Sequence, residues 1–255
     1  MSSVAPFFGA TPVSCRAPPA MIDILLALTG LALAIPASAP AAKPARPAAT
    51  KPAKPARRAS DMAKIEVTQS AAATRVFDWI AASGDNGGLP YIVIDKNNAA
   101  LFLFDAKGQL LGKAPVLIGV AVGDDATPGI GSKNLAEIGP AEKTTPAGRF
   151  LARYGLAAGR QKVLWVDYAT SVALHPIPTG YNPKERRRQR MASPTSDDNR
   201  ITFGCINVPS VFYTKSVQPL FRKQGGYVYI LPDTKPLEAV FPLLLGQTVV
   251  SGGGH

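Results

Sequence analysis

The sequence predicts a mainly β domain, a sandwich or barrel, with one helix before it and one after its second cysteine. Short apolar runs of three to five residues recur between turn signals, which is the strand pattern. Helical spacing shows in only two stretches of the folded part. No internal repeat is visible. Of 255 residues, 46% are apolar and 18% charged, enough for a real core and unlike a wholly disordered or collagen-like chain.

Residues 1–41 read as an export signal. Ile24 to Ile35 is an apolar run too short to span a bilayer, and the small residues Ala37, Ser38, Ala39 and Ala41 follow it. Met21 is an alternative start, and cleavage fits best after Ala37 or Ala41. Residues 42–60 are a basic linker rich in proline, alanine and lysine. Proline removes backbone donors and favours extended geometry, so this segment builds no core.

A helical lead-in, 61–86, comes next. Val76, Phe77 and Ile80 stand at helical spacing within 67–82, and the Gly/Asn-rich run 83–88 stops the helix. The domain proper, 87–234, opens with the strand-like runs Tyr91–Ile94, Leu101–Phe104 and Val116–Val120. Turn signals at 95–98 and 105–108 separate the first three elements. Val163–Val166, Val172–Leu174 and Tyr227–Ile230 complete the strands. A helix over 209–223 starts at Pro209 and stops before Gly225-Gly226. Residues 235–255 are a tail.

The net charge of +11 is unevenly placed. Six bases and no acid fall in 42–60, and the run 184–200 holds six bases against Glu185, Asp197 and Asp198. A nucleic-acid binder carries charge on a folded face among aromatics, so this pattern argues against nucleic acid and for a polyanionic envelope surface. Two cysteines are too few for a disulfide scaffold or a four-cysteine zinc site. Two histidines, one of them His255, argue against a histidine-rich metal site.

Export would leave Cys205 as the one cysteine of the mature chain, since Cys15 lies upstream of each cleavage point. A secreted lone cysteine is an intermolecular link or a working thiol; a buried inert thiol is the plain alternative. Cys205 sits in Thr202-Phe203-Gly204-Cys205-Ile206-Asn207. A helix beginning just after it would favour thiolate through the positive end of its dipole. Gly204 permits positive φ and close approach, and the Gly204 and Cys205 amides could face an oxyanion. His175, at the end of a strand, is the available base.

These residues resemble the L,D-transpeptidase (YkuD-type) catalytic domain. That family's mark is a histidine, a gap, then Ser/Thr-x-Gly-Cys-hydrophobic-Arg/Asn, which His175, Thr202, Gly204, Cys205, Ile206 and Asn207 fit. The stretch Thr145-Pro146-Ala147-Gly148-Arg149-Phe150 and the first hairpin, Tyr91 to Phe104, are also similar. The resemblance covers about residues 87–232 and implies a YkuD-like β-sandwich or barrel. Pro176 stands where glycine is frequent after the histidine, and Phe203 where a second histidine is common. The 30-residue separation of His175 and Cys205 exceeds the usual spacing. The extra residues form a basic insertion, 182–200, either a lid that reads substrate carboxylates or a solvated loop.

The resemblance implies a cysteine-dependent acyltransferase acting on peptidoglycan tetrapeptide stems through a thioester. Cys205 is then the nucleophile, His175 the base and then the acid, and Thr202 orients the site. Gly204 belongs to the oxyanion loop, and Asn207 holds substrate or shapes the loop. No metal or organic cofactor is required. The implied protein is exported to the periplasm or envelope, monomeric, with no membrane span once mature. L,D-carboxypeptidase activity, with water as acceptor, and a non-catalytic peptidoglycan-binding role are the alternatives.

Overall fold

The computed structural model describes residues 67–157 and 161–247. The expectations for 1–41 and 42–60, for the start of the lead-in at 61–66 and for the end of the tail at 248–255 lie outside the described residues.

The fold is mainly β, as the short apolar runs predict. Eight strands form one curled sheet in the order β3-β2-β1-β10-β5-β6-β7-β9. They are β1 (Tyr91–Asp95), β2 (Ala100–Phe104), β3 (Leu110–Pro115), β5 (Gly148–Leu156), β6 (Lys162–Asp167), β7 (Val172–Pro176), β9 (Ile206–Val208) and β10 (Gly226–Ile230). Two short strands, β4 (Ile118–Gly119) and β8 (Arg200–Thr202), pair separately. The curl nearly closes. Leu117, just past β3, exchanges backbone hydrogen bonds of 2.9 and 2.8 Å with Asn207 on β9, the last strand in the order.

The central strands β1 and β2 are buried on both faces, which is why they read as unbroken apolar runs rather than alternating ones. Ile92, Ile94, Leu101 and Leu103 face one core, with Leu164, Leu174, Ile206, Val208, Val228 and Ile230. A helix built of α3 (Ser210–Phe212), a π turn (Tyr213–Val217) and α4 (Gln218–Phe221) fills this core with Tyr213, Val217 and Phe221. Tyr91, Val93, Phe102, Phe104 and Tyr229 face a second core on the other side of the sheet. There α1 (Ala71–Ser83) packs Ala73, Val76, Trp79 and Ile80, and α5 (Leu237–Val240) with the 3₁₀ segment Pro242–Gln247 adds Leu237, Phe241 and Leu244.

Helix α1 begins later than the apolar spacing predicts. Ser70 Oγ accepts the Ala73 N–H at 3.0 Å, and that cap sets the start. Gly84, at φ +66°, ends the helix by donating to Ile80 O. The strand expected over Val116–Val120 shrinks to Ile118–Gly119. The chain there crosses from the main sheet to β8, and Gly119 lies so close to the Lys143 carbonyl that a Cβ would stand 2.2 Å from it.

Turn 95–98 holds more than a turn. Asp95 accepts from the Asn98 backbone and side chain, while Lys96 is turned inward and 1% exposed. Its Nζ donates to Gly123 O at 2.7 Å, Asp124 Oδ1 at 2.9 Å and Thr145 O at 3.0 Å, and lies 3.3 Å from Asp233. Asp124 also accepts the backbone amides of Asp233, Thr234 and Lys235, so this cluster ties the chain after β10 to the loop after β4.

Candidate active site

The site lies where β7 runs parallel to β9. Leu174 pairs with Ile206 and His175 with Asn207. Leu174 and Ile206 point into the core, so His175 and Asn207 project from the opposite face. Cys205 stands one residue before Ile206, two residues from Asn207, the register partner of His175. His175 lies within β7 rather than beyond its end, and Cys205 immediately precedes β9.

Each side chain has a defined partner. His175 Nδ1 lies 2.7 Å from the Pro176 carbonyl. A carbonyl only accepts, so Nδ1 carries the hydrogen and Nε2 of the neutral ring keeps a free lone pair. Cys205 is half-buried, and its Sγ donates to Ser171 O at 3.7 Å. Ser171 holds φ +58° in the turn before β7, and its hydroxyl bonds Gly131 O at 3.3 Å. That contact ties Gly131 to the turn whose Ser171 carbonyl meets the thiol.

The loop around Gly204 is tightly braced. Gly204 has φ +122°, and a Cβ there would stand 2.7 Å from Thr144 O, so both conformation and space require glycine. Thr202 Oγ1 donates to Cys205 O at 2.6 Å and accepts the Gly204 N–H at 3.2 Å. Thr202 therefore shapes the loop, and the Gly204 amide expected to face an oxyanion is already engaged. Thr145 Oγ1 donates to Gly204 O at 2.8 Å and accepts from Gly119 N at 2.9 Å. Thr145 was visible only as part of a Thr-Pro-x-Gly stretch, and its hold on the cysteine loop needed the structure. Phe203 turns outward, with the Lys143 ammonium 3.8 Å from its ring centre.

The structure corrects the electrostatics read from the sequence. Cys205 does not sit at a helix N-terminus. β9 intervenes, and the helix starts at Ser210, five residues of extended chain or roughly 16 Å away, beyond the reach of its dipole. Burial pushes the thiol above its ordinary value, against the Ala173 backbone and the Arg187 charge, which favour thiolate. Burial pushes His175 below its ordinary value; the Pro176 carbonyl opposes this, and Arg187 adds to it. At neutral pH the resting pair is a thiol and a neutral imidazole, not the thiolate expected.

The insertion is not a solvated loop. It contains the 3₁₀ turn Pro183–Glu185, the short helix α2 (Arg187–Met191) and the turn Asp197–Asn199, with Arg187, Met191 and Asn199 buried. Asn199 Nδ2 donates to Val116 O at 2.7 Å, and Arg190 bonds the carbonyls of Glu185 and Asp198. Arg187 reaches the site itself: its Nη1 donates to Asn207 Oδ1 at 2.9 Å, and its Nε to Glu185 Oε2 at 2.6 Å. From the sequence, Arg187 and its neighbours either draw the carboxylate-rich substrate or form a solvated charge run; the contact of Arg187 with Asn207 has no sequence signal.

Among the described residues, no three or more His, Cys, Asp and Glu side chains gather as a metal site, and no helix is long and apolar enough to cross a membrane.

No family model matches the chain, and no curated protein matches its sequence. Among solved structures, it is similar to Bd1075 of Bdellovibrio bacteriovorus, with 15% identity over 56% of this chain and 47% of that one, at a TM-score of 0.34. It is also similar to an L,D-transpeptidase from Xylanimonas cellulosilytica, with 14% identity over 56% of this chain and 60% of that one, at a TM-score of 0.33. In both cases the chain spans less than two thirds of the neighbour's length.

Proposed function

We propose that the protein is a cysteine-dependent acyltransferase of the L,D-transpeptidase type, exported to the cell envelope, where it acts on peptidoglycan stem peptides. One observation carries the reading. A half-buried thiol immediately before β9 stands two residues from the register partner of an imidazole on β7, and that imidazole's Nδ1 is pinned so that Nε2 is the free base. The resemblance of Thr202-Phe203-Gly204-Cys205-Ile206-Asn207, with His175, supplies the substrate class.

The reaction follows from the neutral resting pair. His175 Nε2 takes the Cys205 proton as Sγ attacks the carbonyl carbon between the L-centre and the terminal D-residue. The Cys205 amide serves the oxyanion, since the Gly204 amide is held by Thr202. The imidazolium then protonates the departing amine, the C–N bond breaks, and a thioester remains. A side-chain amine of a second stem attacks the thioester, gives its proton to Nε2, and leaves as the new amide while Cys205 recovers its proton. Thr202, Thr145 and Gly204 hold the loop that carries the sulfur.

The test is intact-protein mass after incubation with tetrapeptide-bearing muropeptides. A tripeptide adduct on wild type and a cross-linked product are expected. Cys205→Ala should show neither, and His175→Ala should lose turnover while keeping a wild-type circular dichroism spectrum. Turnover retained by either folded variant would remove the dyad, and a trimmed stem without cross-link would identify water as the acceptor.

A further inference from the structure

Arg187 is 9% exposed, yet not all of its donors are used. A guanidinium has five N–H groups in a planar fork. Nε–H goes to Glu185 and one Nη1–H to Asn207, while Nη2 has no protein partner among the described residues. The side chain keeps 11% of its surface, so this edge remains reachable. Its place is fixed from below: Asn207 is the register partner of His175, and the guanidinium rests on the Asn207 amide oxygen.

Asn207 itself is fully buried, and its Nδ2 has no acceptor. An orphaned buried donor is costly, and an apolar residue of similar size would avoid that cost. What the amide provides is the oxygen that seats Arg187. Glu185 pairs with Arg187, and the run 184–200 keeps six bases against Glu185, Asp197 and Asp198, so the insertion stays positive. A planar, two-oxygen anion is the ligand that matches an open guanidinium edge.

We infer that Arg187, seated by Asn207, forms a subsite for the free carboxylate of the acyl donor's terminal residue, so that a peptide ending in a carboxylate is preferred over its carboxamide. The inference rests on the acyl-transfer reading and adds the specificity determinant of that site. Arg187 is a binding residue here and Asn207 a positioning residue. The insertion works as a fixed wall, held by Met191, Asn199 and Arg190.

The probes are acetyl-L-lysyl-D-alanine and its C-terminal carboxamide, used with the full chain. Wild type should release the terminal residue faster from the carboxylate peptide. Arg187→Gln should lose roughly ten- to a hundredfold of that preference, through KM more than kcat, with a wild-type circular dichroism spectrum as the control for folding. Arg187→Lys, which keeps the cation and loses the fork, should retain part of the preference and carries the test if Arg187→Gln does not fold. Asn207→Leu should raise KM for the carboxylate peptide more than for the carboxamide, narrowing the preference. Calorimetric binding of both peptides to Cys205→Ala separates the subsite from the chemistry. Tighter binding of the carboxylate peptide, lost when Arg187→Gln is added, supports the subsite even if wild type forms no thioester. Equal binding of both peptides, binding of neither, or a preference that survives Arg187→Gln overturns the subsite, and a thioester on wild type would still leave the acyl-transfer reading standing.

Discussion

Thr145→Val tests whether the cysteine loop is held from outside its own motif. Thr145 is 1% exposed, and its hydroxyl stands between Gly119 N–H at 2.9 Å and Gly204 C=O at 2.8 Å. Valine keeps the shape and removes both bonds, leaving a backbone donor and a backbone acceptor enclosed. Each orphan costs about 1–3 kcal/mol, so the pair should cost about 3 kcal/mol. For a domain of this size that lowers Tm by roughly 6–12 °C in scanning calorimetry. The catalytic effect should be separable. Gly204 is held at φ +122° against Thr144, and freeing its carbonyl lets Cys205 drift from His175. A misplacement of about 1 Å costs on the order of a hundredfold in rate, so kcat for thioester formation should fall ten- to a hundredfold well below Tm, with KM little changed. A Tm that falls as expected while kcat stays at the wild-type value would refute the coupling and leave Thr145 as a fold residue only.

Two further outcomes follow from the buried groups. His175 is held below its ordinary 6.5 and Cys205 above its ordinary 9.0, so kcat/KM for thioester formation should rise with pH along a limb centred below 6.5 and then stay flat across neutrality; a thiolate–imidazolium pair would instead show a falling limb between those values. Lys96→Met leaves Asp124 and Asp233 buried without the ammonium, and because Arg200 and three backbone amides remain, the cost should sit near the low end of a broken buried pair, about 3 kcal/mol. Urea unfolding should read that loss as a lower midpoint at unchanged m; an unchanged midpoint would show that the cluster does not hold the loops together.

The legible parts of this chain are those whose physics is local. Tyr91–Ile94 and Leu101–Phe104 read as strands because burial on both faces leaves nothing but apolar side chains there. Turns 95–98 and 105–108 carry Asp and Asn side chains that bond their own backbone, as at Asp105 with Lys107 and Gln109. β3 and β5 were not legible. Leu110–Pro115 has exposed leucines at the sheet edge and ends in proline, and Gly148–Leu156 mixes two glycines with two arginines. Both owe their strand geometry to neighbours in the sheet. Cys205, His175 and Gly204 stood out as rare or conformationally special residues. Thr145 did not, and Arg187 stood out only as one of a basic run, because what singles them out is the partner each meets, 59 and 20 residues away along the chain.

Two buried cations among the described residues show how the fold separates support from recognition. The Lys96 ammonium has three hydrogens, and Gly123 O, Asp124 Oδ1 and Thr145 O take all three. With its donors spent and 1% of its surface exposed, it can bind nothing further, and its effect is confined to holding Thr145 and the loops after β4 and β10. Arg187 is nearly as enclosed but commits two of its five N–H groups. Burial raises the strength of each hydrogen bond it makes, while its remaining edge stays reachable and is free to take a ligand's oxygens. The same reasoning gives Asn207 its place: it is an internal polar residue that satisfies Arg187 at the expense of its own Nδ2, which a purely supportive residue would not do. Lys96 can therefore be replaced only at a cost in stability, whereas replacing Arg187 should be read mainly in which peptide the site accepts.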